Sequence, residues 1–110
     1  MPAASDIAIV MRTLADPTRR AVFERIVTRG ELNVVALTRG AGVSQPAVSQ
    51  HLRALKEAGL VAERREGREV HYRAAPHGLT PLVDWLGIYG VFWRERFANL
   101  SKLLKEIDHG

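Results

Sequence analysis

The chain has 110 residues, 46% of them hydrophobic and 25% charged, a formal net charge of +4 and no cysteine. That size and apolar fraction suit one compact domain and exclude a disordered chain, while the missing cysteines exclude disulfides, thiolate metal sites and thiol redox sensing. The basic balance suits a polyanionic partner, nucleic acid being the commonest, and the placement of the cations decides the matter. The stretch MPAASDIAIV lacks the basic-then-apolar order of a secretory signal, and nowhere do ~18 apolar residues run uninterrupted as in a membrane span. A cytoplasmic location without membrane contact is the expectation.

The predicted elements start with a helix from Ser5 to Leu14, in which Ile7, Val10, Met11 and Leu14 recur at helical spacing. Asp16-Pro17 then places a capping carboxylate before a proline at the first helical position, and opens a second helix. Its inward side is expected to be Ala21, Val22, Ile26 and Val27, and Gly30 ends it. Between Glu31 and Gly42 lies a short third helix capped by Asn33, with Val34, Leu37 and Ala41 inward. After the tight turn at Gly42-Val43, Ser44 caps a fourth helix running to Ala58, with Pro46 in its first turn and Gly59 at its end.

From there the period changes to two. Leu60–Arg65 and Glu69–Ala74 read as strands joined by a tight hairpin at Glu66-Gly67, with Val70, Tyr72 and Ala74 on one face. Pro76 to Gly78 is a linker. Thr80-Pro81 opens a long last helix reaching about Ile107, along which Leu82, Leu86, Tyr89, Trp93, Phe97, Leu100 and Leu104 step by three or four residues. The order is α-α-α-α-β-β-α: mainly helical with one small β-hairpin, as a winged helix-turn-helix requires.

The fourth helix has the makings of a groove-reading element. Val48, Leu52 and Leu55 form a stripe that would face a supporting helix, and Gln45, Ser49, Gln50 and Arg53 fall outside it. Glutamine can pair an adenine edge bidentately and arginine a guanine edge; Ser44 and Ser49 suit base or phosphate contacts. The hairpin tip carries Arg64, Arg65 and Arg68, placed to grip a phosphate or enter the minor groove. Interleaved Glu63, Glu66 and Glu69 leave the tip only mildly positive, which also fits a hairpin charged to blunt its edges.

The run GVSQPAVSQHLRALKEAGLVAERREGREVHYRAA resembles the core of the ArsR (arsenical resistance repressor-like) family of winged helix-turn-helix regulators, and the likeness extends over roughly residues 11–75. The resemblance implies one winged helix-turn-helix domain over residues 1–110, with a DNA-binding core at 16–75 and dimerisation helices at 1–15 and 79–107. It implies a homodimer that binds double-stranded DNA at an inverted repeat and represses transcription. Its reading positions correspond to Gln45, Ser49, Gln50, His51 and Arg53, and its wing to Arg64–Arg68. His51 has two readings, a DNA contact or a packing residue beside Leu52.

Members of this family that sense metals place cysteines in a Glu-Leu-Cys-Val-Cys stretch, which here reads Glu31-Leu32-Asn33-Val34-Val35. Others use an Asp-x-His pair on the last helix, where this chain has Asp84 and then Leu86. His51, His71, His77 and His109 are scattered over separate elements without helical pairing. Neither a metal nor any other cofactor is expected.

In the family the first and last helices form the dimer interface, which maps onto Leu82, Leu86, Tyr89, Trp93, Phe97 and Leu100. The crowding of Trp85, Tyr89, Phe92, Trp93 and Phe97 suits such a seam. It leaves a second reading, an aromatic pocket for an unidentified small-molecule effector. A winged helix that has exchanged DNA for a protein partner, docked on this helix, is the competing function. An enzyme finds no support, because no nucleophile elbow, phosphate-cradling glycine loop or metal cluster is present and Gly40-Ala41-Gly42 sits between helices rather than after a strand.

Overall fold

A computed structural model describes residues 4–109, with side chains over 6–108. Residues 1–3 of the first expected dimerisation segment, and the side chain of His109, lie outside the described residues. The elements are α1 (Ala4–Ala15), α2 (Pro17–Arg29), β1 (Leu32–Asn33), α3 (Val34–Thr38), α4 (Gln45–Glu57), β2 (Val61–Glu66), β3 (Glu69–Ala74) and α5 (Thr80–His109). This is a winged helix-turn-helix, with one two-residue strand more than the sequence suggested.

Each helix of the central trio begins at a side-chain cap. The Asp16 carboxylate accepts from the Arg19 N–H at 2.9 Å, Asn33 Oδ1 from Ala36 at 2.8 Å and Ser44 Oγ from Ala47 at 3.3 Å. Every bond occupies one of the N–H groups that a helix start leaves without an intrahelical partner. Val22, Phe23 and Ile26 of α2, Leu37 of α3, Val48, Leu52 and Leu55 of α4, and Leu60 and Val61 of the wing base close into one core, to which α1 adds Val10. Leu52 and Leu55 are fully buried, and each such side chain contributes about 1.5–3 kcal/mol by leaving water.

The inward faces differ from expectation in two helices. On α2, Ala21 and Val27 face solvent and Phe23 takes the core position. Packing of α2 against both α4 and β3 rotates its buried stripe by about one residue. On α1, Met11 is exposed, Val10 and Thr13 are buried, and Leu14 packs partly buried against the core as expected. The Thr13 hydroxyl is satisfied by donating to the Ile9 carbonyl at 2.7 Å.

The sheet has the order β1-β3-β2, antiparallel throughout. Strand β1 pairs only with Tyr72 and His71, so the outer hairpin is two-stranded. The hairpin turn is Gly67-Arg68, one residue beyond the expected position, because Glu66 pairs with Glu69. Gly67 at φ 61° holds the first turn position and Arg68 has a negative φ, the pattern of a type II′ turn. Leaving β3, the chain passes so close to the end of α4 that a Cβ on Gly78 would lie 2.5 Å from the Gly59 carbonyl oxygen. That approach launches α5 across α1. Leu79 and Leu82 still touch the core, whereas beyond them almost every side chain of α5 is exposed.

Candidate nucleic-acid interface

Helix α4 separates its two chemistries cleanly. Val48, Leu52 and Leu55 have no accessible surface, while Gln45, Ser49, Gln50 and Arg53 are exposed. The exposed four occupy the first three turns, the part of a recognition helix that reaches base edges. Ser44 is exposed and is also the cap, so its hydroxyl oxygen already accepts one backbone N–H.

His51 stands apart from these four. It is half-buried, and its Nδ1 is fully buried without a hydrogen-bond partner. The Asp16 carboxylate lies near enough to feel it: the Arg19 N–H, then the charges of His51 and Arg19, hold that carboxyl below its ordinary range against the opposing effect of burial. His51 is therefore largely a packing residue near the start of α2, with only part of its surface accessible.

The supporting elements are fastened to α4 by contacts with no sequence signal. Arg25 of α2 spreads its guanidinium over the end of α3. Nη1 donates to the carbonyls of Leu37 at 2.8 Å and Arg39 at 3.0 Å, and Nη2 to that of Ala36 at 3.0 Å. The carbonyls at a helix end lack intrahelical donors, so Arg25 caps α3 and fixes the turn that delivers α4. Lys56 of α4 donates to Glu63 of β2 at 2.7 Å. That bond holds the Glu63 carboxyl below its ordinary range, and burial followed by the Glu63 charge raises the neighbouring Tyr72 phenol.

Strand alternation divides the wing arginines between two faces. Arg65 shares a face with Glu63 and pairs with Val70, on the side that meets α4. Arg64 points to the opposite face, where it pairs with His71 and donates from Nε at 2.9 Å, and from Nη2, to Glu31 Oε1. Its Nη1 donates to Glu66 at 3.0 Å. These bonds lower the Glu31 carboxyl pKa and raise that of the guanidinium. The expected group of three wing arginines is thus not one group: Arg64 is engaged by carboxylates away from α4, and Arg65 and Arg68 have no ion-pair partner among the described residues.

Comparison with known proteins meets this geometry at every scale. A helix-turn-helix domain family matches residues 14–64. An HTH-type transcriptional regulator of Mycobacterium tuberculosis is 49% identical over 93 residues, which cover 84% of this chain and 83% of that one. The chain belongs to the ArsR family of helix-turn-helix transcriptional regulators. An ArsR-like transcriptional regulator from Rhodococcus superposes with a TM-score of 0.70 at 30% identity, over 90% of this chain and 92% of its own. The homodimeric winged helix-turn-helix DNA-binding domain of a Mycobacterium bovis protein superposes with a TM-score of 0.63 at 30% identity, over 78% and 79%. With the arsenic resistance transcriptional regulator of Pseudomonas putida, identity is 46% over 68 residues, 62% of this chain; the match spans about half (53%) of that relative's length.

Within this ArsR-family fold, the positions resembling the metal-sensing stretch do other work. Asn33 is the cap of α3, and Val35 is 52% exposed. Among the described residues no three His, Asp or Glu side chains converge in a way that could hold a metal ion. No helix among them is long and apolar enough to cross a membrane.

Proposed function

We propose that this chain is a homodimeric, metal-independent transcriptional repressor of the cytoplasm that recognises an inverted-repeat operator. Each α4 reads one major-groove half-site. The observation that carries this reading is the division of α4 into a fully buried Val48-Leu52-Leu55 stripe and an exposed Gln45-Ser49-Gln50-Arg53 stripe. Gln45, Gln50 and Arg53 supply the bidentate base-edge chemistry; Ser44 and Ser49 supply short hydroxyls for phosphate or base. His51 contributes its exposed edge. Arg65 and Arg68 hold phosphate from the wing.

Self-association is supported by α5. Among the described residues, thirteen of the seventeen exposed large hydrophobic side chains lie on this helix, each about half accessible. At ~150 Å² or more for a full aromatic side chain, they leave on the order of 1,000 Å² of apolar surface in water. A typical monomer's largest patch is about 300–600 Å², and each partner of a stable interface contributes about 800 Å². Leu86, Tyr89, Trp93, Phe97 and Leu100 form the seam in this reading. Leu82 contributes less, because it is already half-buried against its own core. The homodimeric M. bovis neighbour has the same fold.

Selection of bound sequences from a random duplex library at near-physiological salt tests the proposal. The expected result is two inverted half-sites with centres about 10 base pairs, or a multiple, apart. Gln50→Ala should then relax preference at one base pair per half-site by about 1–3 kcal/mol. Arg65→Ala should weaken all sequences alike and flatten the salt dependence by about one ion per wing. Enrichment of no motif would transfer α5 to a protein partner and remove DNA from the function.

A further inference from the structure

We infer that Glu31 is a positioning residue for the wing: by holding Arg64 from the face opposite α4, it sets the pitch at which Arg65 and Arg68 meet DNA. This inference rests on the DNA-binding reading, but one arm of its test does not.

The wing needs such a brace because of its topology. β1 reaches only His71 and Tyr72 of β3, so from Val70 outward the ribbon is a two-stranded hairpin, which alone is marginal in water. Among the described residues, ion pairs tie this ribbon to the body of the domain from two directions. Lys56 of α4 holds Glu63 at 2.7 Å on one face, and Glu31, just before β1, holds Arg64 on the other. Glu63 and Arg64 are adjacent in β2, so the two ties pull on opposite faces of the strand at nearly one point. That is how a hinge is fixed in both senses of bending.

The Glu31 contact also has the geometry of a brace. One carboxylate oxygen takes both Nε and Nη2 of the guanidinium, which fixes the plane of the arginine. Glu66 holds the remaining edge through Nη1 at 3.0 Å. Beneath the pair lies His71, only 18% exposed at its side chain, with Nδ1 at 3.9 Å from Glu31 and Nε2 at 3.2 Å from Glu69. The acidic side chains around Arg64 leave it little charge to offer a phosphate.

The sign of one substitution separates this role from its rival. If Arg64 were a phosphate contact restrained by Glu31, then Glu31→Gln would remove a negative charge, free an arginine and tighten DNA binding. If Glu31 positions the wing, Glu31→Gln weakens binding despite removing that charge. Both proteins should be titrated with the selected operator duplex over a range of salt. The expected result is affinity about two- to fivefold lower, the scale of one partly exposed ion pair, with an unchanged salt slope because no phosphate contact is lost. The reversed pair, Glu31→Arg with Arg64→Glu, should recover most of the loss.

Hydrogen exchange in the absence of DNA forms the second arm. The amides of Glu66 and Glu69, the hydrogen-bonded pair that flanks the turn, should exchange about two- to fivefold faster in Glu31→Gln, while those of α4 stay unchanged. Tighter DNA binding, a salt slope smaller by about one, or unaltered exchange in the wing overturns the inference. If the unaltered protein binds no duplex, the DNA-binding reading fails by itself and the exchange arm still decides whether Glu31 braces the wing.

Discussion

Helices α4 and α5 carry apolar residues at similar helical spacing, yet their surroundings differ completely. On α4 the stripe of Val48, Leu52 and Leu55 is fully enclosed by α2, α3 and the wing base. On α5 the stripe of Leu86, Tyr89, Trp93 and Phe97 lies 46–64% exposed, and Trp85, Ile88 and Phe92 add apolar surface on a neighbouring face. Its aromatic contacts are made within the helix: Trp85 and Tyr89 rings at 5.0 Å, Phe92 and Trp93 at 5.7 Å, and Arg96 over Phe92 at 4.3 Å. The first helix completes a fold; the second leaves its apolar face uncovered in the single chain. Amphipathic spacing identifies which side of a helix wants burial and is silent about who supplies the cover.

The sharpest way to break this contrast is to charge the α5 stripe. Trp93 and Phe97 are 55% and 64% exposed in the single chain, so Trp93→Glu with Phe97→Glu should leave the monomer folded. Light scattering should show the loss of the dimer. Affinity for a duplex with two half-sites should fall by about 10²–10⁴, the contribution of linking two readers. Affinity for a single half-site should hardly change. A double variant that remains dimeric would place the seam elsewhere and end the comparison between the helices.

A smaller effect is expected at the internal fastening of the recognition unit. Arg25→Met keeps the length of the side chain but strips the donors from the Ala36, Leu37 and Arg39 carbonyls. Bonds from a charged donor contribute about 2 kcal/mol, which a urea midpoint resolves easily. Arg25→Lys should recover only part of this, because an ammonium cannot span the three carbonyls as the planar fork does. Equal stability in Arg25→Met would mean that water caps α3 just as well.

These contacts also mark where sequence reading stops. The caps at Asp16, Asn33 and Ser44 were legible because each bond reaches only three residues ahead. The exposed face of α4 was legible because its buried stripe is regular. The α2 stripe was legible only at Val22 and Ile26, since Ala21, Val22, Phe23, Ile26 and Val27 offer two overlapping apolar faces and only the packing of α4 and β3 selects Phe23 over Ala21 and Val27. The hairpin shifted by one because Glu66-Gly67 and Gly67-Arg68 both place glycine at a turn position. Arg25 bonds residues 11 to 14 positions away and Arg64 bonds Glu31 at a separation of 33. Charged side chains on a polar face have no periodicity that announces such a partner. Among the wing arginines the alternation of β2 was readable; the hold of Glu31 on Arg64 was not.

The smallest expected effect lies at the tie between the two halves of the reading unit, Lys56 and Glu63. The Lys56 ammonium, the first cause, holds the Glu63 carboxyl below its ordinary value of 4.5. A carboxyl depressed on folding adds stability that is present above the unfolded value and is lost as pH falls through the folded one. The contribution should therefore be full at neutral pH and fade below about pH 4.5. Glu63→Gln is shaped like the protonated acid, so urea midpoints of the two proteins should differ modestly at pH 7 and converge as the pH falls below the carboxylate range. With both side chains partly exposed, at 50% and 28%, added salt should shrink the neutral-pH gap as well. A gap that stays constant through the whole carboxylate range would mean that Glu63 supports the wing through packing on Tyr72 rather than through its charge, and would leave the Glu31 side as the electrostatic tie that holds the wing to the body of the domain among the described residues.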